Sequence, residues 1–342
     1  MESPLSLSPH RSPPARAERW RPGEPRRLHE AALAATRAAA LASREWAGRG
    51  DPVAADRAAV EAMRTALASC PGTGTVVVGE GAKDEAPMLF AGERLGRPPG
   101  PEFDIAVDPL ECTKLCARGL AGSLATIALA ERGALAALAA SFYMDKLVGP
   151  TALSGAVRID DRPERTVAQA ADALGKPVGE LRIVVLDKPR HEALIDRLRR
   201  AGARVITPPD GDVAGALCAL LPDGDADLLM GVGGTPEGVM TACAARALGG
   251  FMEARLAPQG PEEAAALASA GLSVDRTWRL DDLVGSECCF AATGVTGGGL
   301  LRAPWSAAGR AFTESILIAG GAARRSIAPA DGPLHARRGS SA

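Results

Sequence analysis

VVVGEGAKDEAPM, Val76 to Met88, and after a short polar interval DIAVDPLECT, Asp104 to Thr113, decide how the chain folds. Two apolar runs, Val76 to Val78 and Ile105 to Val107, read as buried strands, and each ends in a carboxylate within a Gly- or Pro-broken turn. Glu80 sits inside GEG, Asp84 follows it, Asp108 precedes Pro109, and Glu111 comes shortly after. In an open α/β sheet ligands lie beyond the strand ends, so these four acids are expected in one crevice. Crowded carboxylates repel unless protons or cations intervene, and a hard divalent ion suits an oxygen-rich set. The stretch therefore predicts a metal site. Leu110, Glu111, Cys112 and Thr113 are expected to open a short helix whose free amides favour an anion, which places a phosphate beside the metal. Metal carboxylates and amide donors together are the parts for metal-assisted hydrolysis of a phosphate ester.

Upstream, Leu28, Ala32, Ala35, Ala39, Ala42 and Trp46 recur at helical spacing, predicting an amphipathic helix over Arg27 to Trp46. Asp51 is placed to cap the next helix, with Pro52 at its first position. On that helix Val53, Asp56, Val60, Met63 and Leu67 share a face, so Asp56 is expected to point inward and to need a partner, such as a backbone N–H or an arginine. Downstream, Ser123 to Ala130 and Ala134 to Ala139 read as strands around a turn at Glu131, Arg132 and Gly133. Val167 to Leu174 is a predicted helix and Leu181 to Leu186 a strand, opening a second α/β half. Lys188, Pro189 and Arg190 follow at that strand's end, before a helix running to Gly202. They read either as a receptor for a second phosphate or as a solvated basic turn. Val205 and Ile206 form a short strand ended by Pro208, Pro209 and the turn Asp210, Gly211, Asp212, whose last acid can cap a helix through Leu221. Leu228 to Val232 is another strand, then Gly233 and Gly234 lead to a helix ending at Gly249. Pro236 fits its first position, so Glu237 falls in the first turn, where it can answer the helix dipole. Pro261 to Ala270 is a further helix, with strands at Glu287 to Ala292 and Phe312 to Ile318.

Whole-chain properties narrow the function. A formal charge of −2 without basic blocks argues against nucleic acid as principal partner. Seven cysteines without a CxxC pair, and only four histidines, suit reduced thiols in a cytoplasmic protein and offer no zinc set. No apolar run is long enough for a membrane span. Residues 1–25, rich in Pro, Arg and Ser, and the tail 328–342 are expected to be disordered extensions. They flank two α/β halves, 26–175 and 176–327, with the active site between them.

GEGAKDEAPM and DPLE.T resemble signatures of the class II fructose-1,6-bisphosphatases, within the metal-dependent, lithium-sensitive sugar and inositol phosphatases. The resemblance continues through GRGDPVAAD, YMDKLVGP, DKPRH, PDGDVA and GGTPEGV, in unbroken order over roughly residues 28–320. It implies a layered α/β sandwich that uses two or more Mg²⁺ or Mn²⁺ ions to hydrolyse the 1-phosphate of a sugar bisphosphate, most directly fructose 1,6-bisphosphate, as a homo-oligomer. It implies metal ligation by Asp56, Glu80, Asp108, Glu111, Glu237 and the Leu110 carbonyl. Thr113 with Asp56 or Asp84 would orient the attacking water. Glu111, Cys112, Thr113, Tyr143, Lys188, Pro189, Arg190, Asp210, Gly211, Asp212 and Gly234 would contact the substrate. Tyr143, Lys188 and Arg190 would grip the far phosphate. The chain departs from the pattern at Cys112, where the family has Gly, and at Pro52 and Arg57, where it has Lys and Gly. These departures keep open a paralogue for another substrate, such as sedoheptulose 1,7-bisphosphate or an inositol phosphate, and a catalytically impaired sugar-phosphate binder.

Overall fold

A computed structural model describes residues 19–79 and 88–330. Helices α1 (Glu24–Arg44) and α2 (Pro52–Leu67) precede β1 (Pro71–Val78), the short β2 (Arg94–Leu95) and the long β3 (Arg97–Glu111). Then come α3 (Thr113–Ala117), β4 (Leu124–Glu131), β5 (Tyr143–Gly149), α4 (Pro163–Leu174), β6 (Arg182–Val184), α5 (Glu192–Arg200) and β7 (Arg204–Ile206). The chain continues through α6 (Asp212–Leu220), β8 (Leu228–Gly234), α7 (Thr235–Leu248), β9 (Phe251–Leu256), α8 (Pro261–Ser269), β10 (Trp278–Arg279) and α9 (Leu280–Leu283). It closes with β11 (Cys288–Gly294), β12 (Trp305–Ala307), β13 (Arg310–Ala319) and β14 (Ala322–Pro329).

Eight strands form one sheet in the order β12-β13-β11-β4-β3-β1-β2, with β14 on β13; six form another in the order β10-β9-β5-β8-β6-β7. The two predicted strands that open the sequence reading are neighbours: β1 runs parallel to β3, with Val76 opposite Ile105. Three apolar cores separate the layers. The α1–α2 pair covers the outer face of the eight-stranded sheet, α4 and α5 cover the outer face of the six-stranded one, and α6 and α7 fill the space between. Helix α7 touches strands of both sheets, so its position is fixed from two sides. This is the expected layered α/β sandwich.

The chain partitions differently from the two consecutive halves expected about residue 175. Strands β5 to β10 make the second sheet, while β11 to β14 return to the first. The reason is β5, which pairs with both β8 and β9 and so belongs to the later sheet despite its early place. Helix α1 stops at Arg44, short of Trp46, while burying Leu28, Ala32, Ala35 and Ala39 as expected. On α2 the Asp51 carboxylate accepts from the Ala54 N–H at 2.9 Å, the predicted cap. Val60, Met63 and Leu67 of the expected stripe are buried, joined by Ala55 and Ala59, but Val53 is 74 % exposed, because the small alanines allow the close packing of α1. Ala134 to Ala139 is not a strand; Leu135 alone bridges Val284, as a run of unbranched alanines has little sheet preference. The predicted tail is ordered as far as β14 reaches, through Ala328 and Pro329, because β13 supplies it a full antiparallel partner. Among the described residues no helix is long and apolar enough to cross a membrane.

Candidate active site

Strand β3 delivers its acids through an irregularity. Asp108 pairs with Thr126 and Glu111 with Leu124, so three steps on β3 answer two on β4. In a regular strand residues three apart face opposite ways; the extra residue lets both acids face the same side. That side is the gap between the sheets, since the Thr126 hydroxyl lies 3.5 Å from Met240 Sδ on α7. Pro109, which has no N–H to donate, is tolerated at such a break. The Leu110 N–H donates to Asp108 Oδ1 at 3.1 Å, and the Thr113 hydroxyl donates to the Leu110 carbonyl at 2.9 Å. The expected helix does not start at Leu110: Leu110 and Glu111 are still strand, and α3 spans only Thr113 to Ala117. Cys112 caps it in the left-handed region, φ 62°, which glycine adopts without strain and cysteine does not. Its carbonyl accepts from the Ser123 hydroxyl at 3.0 Å, and its sulfur packs on Gly211.

Gly211 opens α6, and there the two sheets meet. Glu111 Oε1 accepts from the Val213 N–H at 3.1 Å, while Glu111 Oε2 is buried with no hydrogen-bond partner. Glu237, in the first turn of α7 as predicted, likewise keeps Oε2 buried without a partner. Burial first, then the charges of Asp212 and Glu237, holds the Glu111 carboxyl well above the ordinary range. Burial and Asp212 push Glu237 up to about 7, against the pull of the Lys146 cation. The thiol of Cys112 is raised by burial and by the acids around it, so it stays protonated.

Across the gap, Asp212 forms a short ion pair with Lys146, whose ammonium also donates to the Gly234 carbonyl at 2.9 Å. Asp210 pairs with Lys188 at 3.5 Å. Arg190 donates to the Val232 carbonyl through Nε and Nη2, at 3.2 and 2.9 Å, with its guanidinium 5.4 Å from the Tyr143 ring centre. Pro189 starts a turn of 3₁₀ helix that carries Arg190 ahead of α5. The buried His191 imidazole fixes that turn: Nδ1 bonds the Leu186 carbonyl and Nε2 accepts from the Val232 N–H, both at 2.8 Å. With Nε2 accepting, Nδ1 carries the proton.

Thus Glu111, Cys112, Gly211, Asp212, Gly234 and Glu237 come together, with Asp108 on the same face of β3. Lys188, Arg190, Tyr143 and Asp210 form a neighbouring group on the second sheet. Asp56 is partly buried on α2, the helix that packs on α3. Glu80 and Asp84 lie outside the described residues, beyond Gly79, where any side chain would strike the Leu89 carbonyl. Among the described residues no group of three or more His, Cys, Asp or Glu is disposed to hold an ion. The four described carboxylates of the expected ligand set are therefore not a complete cage by themselves. What the site does offer a hard cation is two buried carboxylate oxygens with nothing bound to them. Sequence reading missed Lys146 and His191 as site residues. Lys146 carried a signal: it alternates with Met144 and Val148 on an apolar strand face, where a cation must find an acid.

The chain is similar to known proteins over most of its length. The model of the family described as "Bacterial fructose-1,6-bisphosphatase, glpX-encoded" matches residues 26–328. The chain is 40 % identical over 299 residues to fructose-1,6-bisphosphatase 1 class 2 of Escherichia coli strain K12, covering 83 % of this chain and 89 % of that one. Fructose-1,6-bisphosphatase class 2 of Shigella flexneri is similar to the same extent, 40 % over 299 residues with the same coverage. With a fold, a cleft and a likeness that all run over nearly the same residues, the chain belongs to the bacterial class 2 fructose-1,6-bisphosphatase family.

Proposed function

We propose that this chain is a metal-dependent phosphatase that hydrolyses the 1-phosphate of fructose 1,6-bisphosphate, releasing fructose 6-phosphate and inorganic phosphate. The observation that carries the reading is the pair of unpartnered buried oxygens on Glu111, from β3, and Glu237, from α7; the Glu237 charge adds to the burial that raises the proton affinity of Glu111. Uncompensated, two such carboxylates are costly; with a divalent cation they become ligands.

Glu111 and Glu237, with Asp108, Asp56, Glu80 and the Leu110 carbonyl, would hold Mg²⁺ or Mn²⁺. The cations supply neutralisation of phosphate charge and activation of water. Thr113 is tethered to the Leu110 carbonyl, which keeps its hydroxyl beside that shell. Thr113 with Asp56 or Asp84 orients the attacking water. A P–O bond forms from water, the bond from phosphorus to the sugar C1 oxygen breaks, and the sugar oxygen leaves with a proton. Lys188 and Arg190, bearing a point charge and a planar fork, bind the far phosphate, with Tyr143 stacked against Arg190. The Asp210–Asp212 turn and the Gly234 backbone take the sugar hydroxyls. Holding both ends of the substrate turns approach into alignment. All seven cysteines are free thiols, which supports a cytoplasmic location. A homo-oligomer is the expected assembly, checked by light scattering.

The test is phosphate release from fructose 1,6-bisphosphate, sedoheptulose 1,7-bisphosphate and inositol monophosphate, each with Mg²⁺ or Mn²⁺ and with chelator. Fastest cation-dependent release from the fructose ester supports the reading. Cation-independent release, or a clear preference for the inositol ester, overturns it.

A further inference from the structure

Lys146 is a long basic side chain in the interior that the proposed chemistry leaves without a task. It is 2 % exposed, midway along β5 on the face shared with Met144 and Val148. Its ammonium meets Asp212 at the start of α6 and the carbonyl of Gly234 at the junction of β8 and α7. Glycines make the meeting possible. A Cβ at Gly233 would strike both the Asp212 carboxylate and the Lys146 ammonium, and one at Gly234 would strike the Glu237 carboxylate. The same cation acts at a distance on Glu237, drawing down a proton affinity that burial raises. A buried ion pair is weak evidence for a stabilising role, because well-packed apolar residues commonly serve as well or better. A device that fixes geometry is the better use of such a pair, and here the two acceptors of the ammonium, Asp212 and the Gly234 carbonyl, sit at separate helical starts.

We propose that Lys146 is a positioning residue: its ammonium ties the Asp210–Asp212 turn to the Gly233–Gly234 turn and so holds the sugar-contacting groups in register with Glu237. The proposal rests on the sugar-bisphosphate reading of those two turns. It names one strand residue as the tie between recognition of the sugar and the place where the phosphate is cleaved. Removing the tie leaves the acid side of the cleft in place and loosens the sugar side. Substrates that use the sugar side suffer; substrates that do not use it are spared.

The experiment compares kcat and KM on fructose 1,6-bisphosphate and on p-nitrophenyl phosphate, a small ester with no sugar, at saturating Mg²⁺ or Mn²⁺. Wild type, Lys146→Met, Asp212→Asn and the double variant are measured, each with its melting temperature. Losing a charge-assisted contact predicts for Lys146→Met a fall of at least about 30-fold in kcat/KM on the sugar bisphosphate, mostly through KM, against less than about 3-fold on the small ester; Asp212→Asn and the double variant are read on the sugar bisphosphate alone. Because the two residues act as one unit, the double variant is expected to be no worse than the poorer single. Equal losses on both substrates, no loss on either, or losses that multiply in the double variant would overturn the proposal. Should Lys146→Met not fold, Lys146→Arg keeps the charge but moves its point of attachment, and an unchanged ratio between substrates overturns the proposal equally. A wild type inert on both esters would instead sink the phosphatase reading itself, and this proposal with it.

Discussion

Glu111 and Glu237, on β3 and α7, each keep a carboxylate oxygen buried without a partner, whereas Asp210 and Asp212 in the turn beside them are already paired with Lys188 and Lys146. Arg190 on this paired side is also engaged, by the Val232 carbonyl. The contrast teaches which side is completed by a ligand and which is complete beforehand. Where charge is left unanswered, the missing counter-charge must come from solution, as a proton or a cation. Where it is answered internally, substrate must trade one partner for another, and the side chains are held in place until it does.

The largest way to break the contrast is to remove the unanswered charge. Glu237→Ala is expected to lower cation-dependent phosphate release by at least about 100-fold, as loss of a metal ligand should. The metal-free variant should melt no lower than wild type at pH 8, since a costly buried carboxylate has gone. A variant with near-normal turnover would show that the unanswered oxygens are structural. On the paired side the effect should be smaller and of another kind. Lys188→Ala or Arg190→Ala is expected to raise KM for fructose 1,6-bisphosphate by about 10- to 100-fold, the worth of one charge-assisted bond, while kcat moves little. A fall confined to kcat would assign those residues to the acid side instead.

The contrast also sets a pH dependence. Glu237 has a folded pKa of about 7 against an ordinary 4.5, so between those values the folded chain binds more protons than the unfolded one. Its contribution to the stability of the metal-free chain is therefore full below the lower value, falls as pH rises through the window, and is flat above about 7. The melting temperature in chelator should drop across that range, and the rise produced by Mg²⁺ or Mn²⁺ should grow with it, because cations bind the deprotonated acids. A metal-induced rise independent of pH would contradict this.

The smallest expected effect concerns Cys112. Its left-handed backbone costs a non-glycine residue roughly 1–2 kcal/mol, and its sulfur regains part of that by packing on Gly211. Cys112→Gly should change unfolding free energy by no more than about 1 kcal/mol in a urea titration. Any larger change in KM would show that the thiol shapes the substrate side of the cleft.

Much of this site was legible in the sequence because chemistry and punctuation coincide there. The strand end at Val78, the break within β3 at Asp108 and Pro109, the Pro at the start of α7 and the acid after it, and the basic turn behind β6 all combine a breaker with a charge. What was not legible depends on pairing. The extra residue that turns Glu111 toward Asp108's side is a property of β3 and β4 together. So is the return of β11 to the first sheet, which no local pattern announces. On α2, Val60, Met63 and Leu67 are buried as read, while Val53 at the start of the expected stripe is exposed and Ala55 and Ala59 are buried instead, because hydrophobicity ranked valine above the alanines that the close approach of α1 selects. Strand β14 lies beyond the last strand expected, Phe312 to Ile318, because its residues show no apolar alternation and Ala328 and Pro329 look like a tail until β13 is beside them.

Helix α7 is wedged between the sheets, and this gives an apolar residue a say in chemistry it never touches. Met240 sits one turn along from Glu237 and rests its sulfur against Thr126, opposite Asp108. It works as a shim: a thinner or thicker side chain there would alter how far the carboxylate stands from the β3 acids, and so retune cation choice with every charge intact.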